Sequence, residues 1–395
     1  MTNLELIKHC INEDSLRSFS EDEDPNIRQA VASNYFTDLD TLHKLSSDKC
    51  IDVIRAVASN EATYSSTLHE LSSNKCIEIK KAVAKNSSTN SATLHELSSD
   101  NCIEVKRAVA SNENTEGVSL ERLSSEKDID IKVRVAKHLN TTSEILSRLN
   151  SESGDFFNAT YLNLKIAIAS NKNTSEEILS RLSNFDDPIV KEAVASNENT
   201  PTEILDKLAK RPILAVAVAS NKTATLEILD KLSRSRYLNI KKAVASNLNS
   251  NSEILNRLSI CDDIGIRKAI VSNPKTSTET LKNIAKVELN KVVKQNIFNH
   301  PRISVEILKI LSEDENKEVR KAALRHPKFT FFVYSDDELE SIVKNNNTEV
   351  KLFIASNINT PFKIINLLTL DSNNEIRNKA FKNPNWKSDL LELEF

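Results

Sequence analysis

The sequence predicts an all-α protein: a solenoid of about fourteen 26-residue, two-helix repeats with an N-terminal capping unit. Three observations predict it. The tripeptide Ala-Ser-Asn, or a looser form of it, recurs through the chain at a step close to 26 residues. Aliphatic residues flank each copy at spacings of three and four, the signature of short amphipathic helices. Only three of the 395 residues are glycine, where average usage is about 7%.

The repeat is indexed by its asparagine. Ala-Ser-Asn places Asn34, Asn60, Asn112, Asn171, Asn197, Asn221, Asn247 and Asn357 in one slot, and Asn86, Asn273, Asn383, His138, His300 and His326 fill it elsewhere. The first five of these fourteen anchors are each 26 residues apart, and later steps run from 24 to 33. Seven residues before every anchor stands an aliphatic residue, from Ile27, Val53 and Ile79 to Ile376. Four before it is usually Ala, and three before it another apolar residue. These positions share one face of a first helix that the anchor closes, with Ala admitting a close neighbour. Leucines eight and eleven residues after the anchor, such as Leu42 with Leu45 and Leu68 with Leu71, give a second helix its inner face. For its start, Thr200-Pro201-Thr202-Glu203 offers a hydroxyl cap, a proline at the first helical position and the Glu of a capping box. Thr276 with Glu279 and Ser250 with Glu253 repeat the box. Helices of about two turns do not persist alone in water, so each unit must bury its apolar face on the next.

One repeat domain is therefore expected over residues 1–395. A cap occupies 1–23, with Leu16 and Phe19 in the paired-leucine slots. Regular repeats cover 24–150 and 162–328, an inserted loop spans 151–161, and an irregular unit at 329–345 carries Phe329, Phe331, Phe332 and Tyr334. Repeats and a cap fill 346–395.

Composition excludes several function classes. Gly117, Gly154 and Gly265 stand too far apart to build a dinucleotide-binding turn, a phosphate loop or a nucleophile elbow. Lys plus Arg number 53 and Asp plus Glu 56, a net charge of -3, so no global attraction to nucleic acid or anionic membrane is expected. Five scattered cysteines make no disulfide framework. Without a basic-then-apolar leader or a long apolar run, the expected location is cytoplasmic.

The stretch Val190-Lys-Glu-Ala-Val-Ala-Ser-Asn197-Glu-Asn-Thr-Pro-Thr-Glu-Ile-Leu205-Asp-Lys-Leu208-Ala resembles the leucine-rich repeat variant family, itself close to HEAT-type solenoids. The resemblance recurs over most of the chain. It implies a right-handed superhelix of α-helices alternating with short, often 3₁₀, helices, and no activity of the repeat itself. Some members of that family carry a cysteine-ligated iron–sulfur module at the N-terminus. Here that region offers Cys10 alone, so no cofactor is expected.

Within the repeat, several rows of residues are candidates for function. Cys50, Cys76 and Cys102 lie one repeat apart, as do His43, His69 and His95. Stacked helices sit about 8–10 Å apart and zinc ligands within about 2.3 Å of the metal, so equivalent positions cannot share an ion. No metal site is expected. Six residues before the anchor, twelve of fourteen units carry Lys or Arg: Arg28, Lys80, Lys106, Lys132, Lys165, Lys191, Lys241, Arg267, Lys294, Arg320, Lys351 and Arg377. With acids in the preceding loop at Asp24, Asp128, Asp187, Asp263 and Glu313-Asp314-Glu315, they form either a ladder of ion pairs between repeats or a cationic stripe for a polyanion. One position on, Arg55, Lys81, Arg107, Lys242, Lys268 and Lys321 point away from the core and are candidates to touch a partner. Phe331 and Phe332 are candidates for an aromatic docking patch.

No unlike catalytic groups converge in a chain of equivalents, so an enzyme is not expected. The expected function is a protein-interaction scaffold binding its partner along a curved face. The alternative is a nucleic-acid-binding solenoid like HEAT-type DNA-alkylation-repair proteins, and a third option is a HEAT-like lyase or maturation factor acting on another protein. Most anchors are expected at positive φ, ending helices as glycine does, with a side chain that bonds across to the next repeat. The expectation is weakest at Asn273, His300, His326 and Asn383, where a proline follows.

Overall fold

The computed structural model describes residues 3–8, 10–151, 159–326, 336–344, 348–358 and 360–388. Among them the chain is all-helical, thirty short helices with no strand. It divides into two compact units, Met1–Leu208 and Ala209–Phe395.

In the first unit two helices, Asn3–Lys8 and Glu13–Phe19, precede the repeats. First helices follow at Pro25–Ser33, Ile51–Ser59, Ile77–Lys85, Ile103–Val109, Ile129–Lys137, Ala159–Ser170 and Pro188–Ser196. Second helices such as Leu39–Leu45, Ser65–Ser72 and Ser91–Leu97 alternate with them. In the second unit, first helices include Pro212–Ser220, Leu238–Ser246, Ile264–Ser272, Lys291–Phe298 and Asn374–Phe381, again alternating with second helices such as Ser252–Ser259 and Thr278–Val287. Each unit is a helical solenoid in which successive first helices pack on one another. The second helices are α-helical where the resemblance implied frequent 3₁₀ turns.

The core lies in the slots the spacing marks. Val53, Val57 and Leu68 are fully buried, as are Ile79, Val83 and Leu94 one repeat later. The least exposed small residue, however, is two before the anchor: Ala58, Ala84, Ala136, Ala169, Ala195, Ala219 and Ala245 are fully buried. With only a methyl group there, first helices of adjacent repeats approach closely.

The expected inserted loop at 151–161 is shorter than anticipated on its flanks. Ser151 ends the helix Ser143–Ser151, and Tyr161 is buried inside Ala159–Ser170. Phe329, Phe331, Phe332 and Tyr334 lie outside the described residues. The helix Asp336–Lys344 occupies most of the rest of that irregular unit.

The anchors depart from expectation. No described residue has positive φ. Asn60 sits at φ -78 and ψ 120, Asn197 at φ -76 and ψ 130, both extended. The reason is the side chain. The Asn86 carboxamide Oδ1 accepts the Ser88 backbone N–H at 2.8 Å, forming a local turn. Its Nδ2 donates at 2.9 Å to both Ala58 O and Asn60 O of the preceding repeat. Asn60, Asn112, Asn171, Asn197, Asn247, Asn273 and Asn383 repeat the pair of bonds to the residues two before the previous anchor and at it. Asn34 does the same toward Ile7 O and Cys10 O of the cap. An extended anchor aims its carboxamide across the interface, and hydrogen bonds to buried carbonyls outweigh the αL preference of Asn.

The caps also shift by one residue. Thr200, Ser250 and Thr276 do not cap the second helix. Each donates its hydroxyl back to a carbonyl of the first helix, Val194 O, Val244 O and Ile270 O. Thr37, Thr63, Thr89, Thr115, Thr141, Thr174 and Thr360 do likewise. These hydroxyls are buried and bring a second donor to carbonyls at the end of the first helix, each of which also accepts the backbone N–H of its anchor. The second-helix caps are the next residues, Asn251 and Ser277, which accept from Ile254 N and Thr280 N. Pro201 accordingly precedes the helix Thr202–Ala209 instead of opening it.

Candidate functional site

The cations six before the anchor sit with their stems against the core and their heads between repeats. Arg28 makes a two-pronged pair with Asp48, Nε to Oδ2 at 2.7 Å and Nη2 to Oδ1 at 3.0 Å. Lys80 pairs with Asp100 and Lys106 with Glu126, both at 2.7 Å, Arg267 with Glu288 at 2.5 Å and Lys351 with Asp371 at 2.8 Å. Lys294 pairs with Asp314. The acid lies 20 or 21 residues on, twelve before the next anchor, at the entry to the following first helix. Arg28 holds the Asp48 carboxyl below its ordinary range. At Asp100 and Asp371 burial pushes upward, but the lysine hydrogen bond and charge prevail and the pKa falls. Other members of the row use different acceptors. Lys191 reaches Asp186 at 3.8 Å and Lys241 the Cys261 sulfur at 3.5 Å. Arg320 and Arg377 donate to the carbonyls of Asp314 and Asp371.

The loop acids at Asp24, Asp128, Asp187 and Asp263 have a different task from the one their position suggested. They cap the first helices, accepting from Asn26, Ile131, Ile189 with Val190, and Ile266. Asp128 additionally pairs with Arg107.

A row missed from the sequence runs beside the anchors. Two residues after them, Asn114, Asn140, Asn173, Asn199, Asn249 and Asn385 donate across to two carbonyls of the preceding repeat. Asn114 reaches Ser87 O at 2.6 Å and Thr89 O at 3.0 Å. The signal was there in strings such as Asn112-Glu-Asn114 and Asn197-Glu-Asn199.

The repeated histidines and cysteines occupy different places. His43, His69 and His95 lie on second helices, each with Nδ1 at hydrogen-bond distance from a hydroxyl of the next repeat: Thr67 at 2.9 Å, Thr93 at 3.1 Å and Ser119 at 3.0 Å. Cys50, Cys76 and Cys102 precede first helices and give no side-chain cap. Among the described residues no group of three or more His, Cys, Asp and Glu side chains is placed to hold a metal ion.

What the anchors, threonines and ladders leave open is the outer face of the first helices. Its residues stand nine, eight, five and one before the anchor. Grooves open along it. One of about 560 Å³ is lined by Ser111, Asn114, Arg134, Lys137, His138 and Leu139. Another, of about 330 Å³, is lined by Lys321, Arg325, Glu349, Leu352, Phe353 and Lys379. The six cations five before the anchor belong to this face, and four are neutralised. Arg55 pairs with Asp52 at 2.8 Å and Lys81 with Glu78 at 2.7 Å on their own helices. Arg107 pairs with Asp128 and Asp130, and Lys321 with Glu349, on the following one. Lys242 and Lys268 have no ion pair among the described residues. Half-exposed aliphatics line the start of the same helices: Ile51 at 50%, Ile77 at 48%, Leu238 at 50% and Ile264 at 44%. No described helix is long and apolar enough to cross a membrane.

No family model and no curated protein matches the chain. Among solved structures it is similar to one described as a leucine-rich repeat variant with a novel repetitive protein structural motif, at 18% identity and a TM-score of 0.34, over 65% of this chain and 88% of that one. A crystallised engineered protein is similar at 17% identity and a TM-score of 0.20, over 96% of this chain and 97% of that one. The chain is a helical repeat protein.

Proposed function

We propose that this protein is a non-enzymatic, cytoplasmic interaction scaffold of the leucine-rich repeat variant type, which binds a protein partner along the outer face of its first helices. One observation carries the reading: side chains that repeat most regularly are consumed by bonds between repeats, whereas the first-helix face is grooved, exposed and different in charge from unit to unit. A scaffold needs a constant interior and a variable surface. The cationic row six before the anchor, on which binding to a polyanion would depend, has its heads in ion pairs and carbonyl contacts instead of free for phosphates.

Photo-crosslinking from single positions in native extract tests this. A probe replacing Arg55 or Gln29 on the first-helix face is expected to capture a discrete protein that a probe at Glu70, on a second helix, does not. Capture of nucleic acid from the first-helix positions would overturn the proposal. So would duplex or single-strand binding that weakens about 10³-fold or more between 50 and 200 mM salt, the mark of many phosphate contacts.

A further inference from the structure

Lys242 and Lys268 are the exception on the first-helix face, and their neighbours explain why. Where the other four cations are neutralised, a carboxylate stands eight before an anchor, on their own helix or the next: Asp52, Glu78, Asp130 or Glu349. Around Lys242 that slot holds Asn239 on its own helix and Gly265 on the next. Around Lys268 it holds Gly265 and then Val292. The nearby loop acids are engaged elsewhere, Asp263 in capping Ile266 and Asp262 with Arg267. The Lys242 stem reaches the next repeat at Gly265. Its Cδ and Cε lie 3.5 and 3.7 Å from where a β-carbon would stand, ordinary contact distances, with Asp263 Oδ1 at 3.1 Å from the same point.

One turn before each lysine, on the same side of its helix, stands a half-exposed aliphatic, Leu238 and Ile264. Two adjacent repeats thus present the same pair, an apolar side chain and an unneutralised cation. Stacked helices lie about 8–10 Å apart. A polyproline-type strand rises about 3.1 Å per residue with three residues per turn, so its equivalent side chains recur every 9 Å or so. A carboxylate at every third residue of such a strand meets both lysines in register.

We propose that the helices Leu238–Ser246 and Ile264–Ser272 dock an extended, acidic, proline-rich peptide segment, with a carboxylate on each of Lys242 and Lys268 and prolines against Leu238 and Ile264. This rests on the scaffold reading and names the chemistry of its partner at one place. Nucleic acid fits the patch less well, since Tyr237 alone among exposed aromatics adjoins it and lies under Arg236.

The test is fluorescence anisotropy of a labelled peptide of repeated Glu-Pro-Pro triplets with the full chain at low salt. Binding is expected, and the Gln-Pro-Pro peptide, which lacks the carboxylates, is expected to bind about 5- to 30-fold more weakly. The double variant Lys242→Gln/Lys268→Gln is expected to weaken it about 5- to 30-fold, from two exposed ion pairs at up to 1 kcal/mol each. Asn239→Glu, which restores the missing carboxylate without removing a lysine, is expected to weaken it in the same direction. Lys242 and Asn239 are exposed and Lys268 is half-buried, and circular dichroism checks that helix content is retained. Binding unaltered by these variants would overturn the site, and equal, equally sensitive binding of a thymidine single strand would overturn the peptide in favour of any polyanion. If the Glu peptide does not bind, selection of random displayed peptides separates the two levels. Selected non-acidic peptides that are lost when Ser246→Arg blocks the face leave the scaffold standing without this site. An empty selection removes both.

Discussion

At the fourteen anchors, asparagine and histidine prove interchangeable because they offer the same two functions in the same places. His300 Nε2 faces Asn273 O at 2.9 Å while Nδ1 accepts the Arg302 backbone N–H at 3.1 Å. His138 repeats both bonds toward Asn112 O and from Asn140 N. Nε2–H stands where the Asn Nδ2 would, and Nδ1 where Oδ1 would. Only the neutral Nε2–H tautomer satisfies both partners. Burial accordingly holds His300 below its ordinary pKa, with the charge of Arg302 adding to the effect and the Asn273 carbonyl opposing it. An unfolded histidine takes its proton near pH 6.5. Between that pH and the lower folded value, the unfolded chain binds more protons, so stability falls as pH drops through this window and is recovered above it. His300→Asn keeps the two bonds and removes the titration. Urea unfolding at pH 7.5 and pH 5 is expected to show a smaller loss of stability in the variant than in the parent, and an equal loss would refute the assignment.

The helices show which parts of the fold were legible and which were not. Buried slots such as Val53, Val57 and Leu68 could be read directly, because helical spacing depends only on neighbours along the chain. Conformation at Asn86 could not, because its ψ is set by acceptors 26 and 28 residues back. The cap misplaced onto Thr276 instead of Ser277 failed for a related reason: a hydroxyl at either position suits a helix start, and only burial against Ile270 O distinguishes them. The partners of Arg28 and Lys80 were invisible for want of the 20-residue step. Thr89 illustrates the energetic weight of such contacts. Its buried hydroxyl donates to Val83 O at the end of Ile77–Lys85, beside the Asn86 backbone N–H that donates to the same oxygen. Thr89→Val, which keeps the shape, is expected to cost about 0.5–1.5 kcal/mol, the net worth of one hydrogen bond, since the Asn86 backbone N–H still occupies that carbonyl. Asn90→Ala, which removes the adjacent second-helix cap, is expected to cost about 0.5–2 kcal/mol. Denaturant unfolding measures both, and a Thr89→Val variant as stable as the parent would show the hydroxyl to be dispensable.

Taken as a whole molecule, the repeat is held by contacts reaching only one unit away, so stability is a sum of units and interfaces. Removing one whole period should therefore be tolerated where removing part of one is not. Deleting 61–86 joins Asn60 to Ser87 and presents Asn112 with Ala58 O and Asn60 O, the pair Asn86 now occupies. The shortened chain is expected to keep its helicity per residue by circular dichroism and to melt cooperatively at a somewhat lower temperature. Deleting 61–73, half a period, removes the second helix Ser65–Ser72 alone and is expected to lose both. If the two deletions behave alike, the period is not the structural unit.

The same uniformity carries a hazard for a chain finding its fold. Asn86 and Asn112 bear identical donors, and Thr-Leu-His-Glu-Leu-Ser-Ser occurs twice between residues 67 and 99. A folding intermediate can therefore zip Asn112 onto the acceptors of Asn86 and extrude an intact repeat, a mispairing in which every local bond is correct. Looping out a segment of this length costs only a few kcal/mol of closure entropy, so the slipped form competes until the later, dissimilar repeats refuse to align. The histidines, the Ser250 in a threonine slot and the long step to Asn171 then serve as register marks, telling one rung from the next.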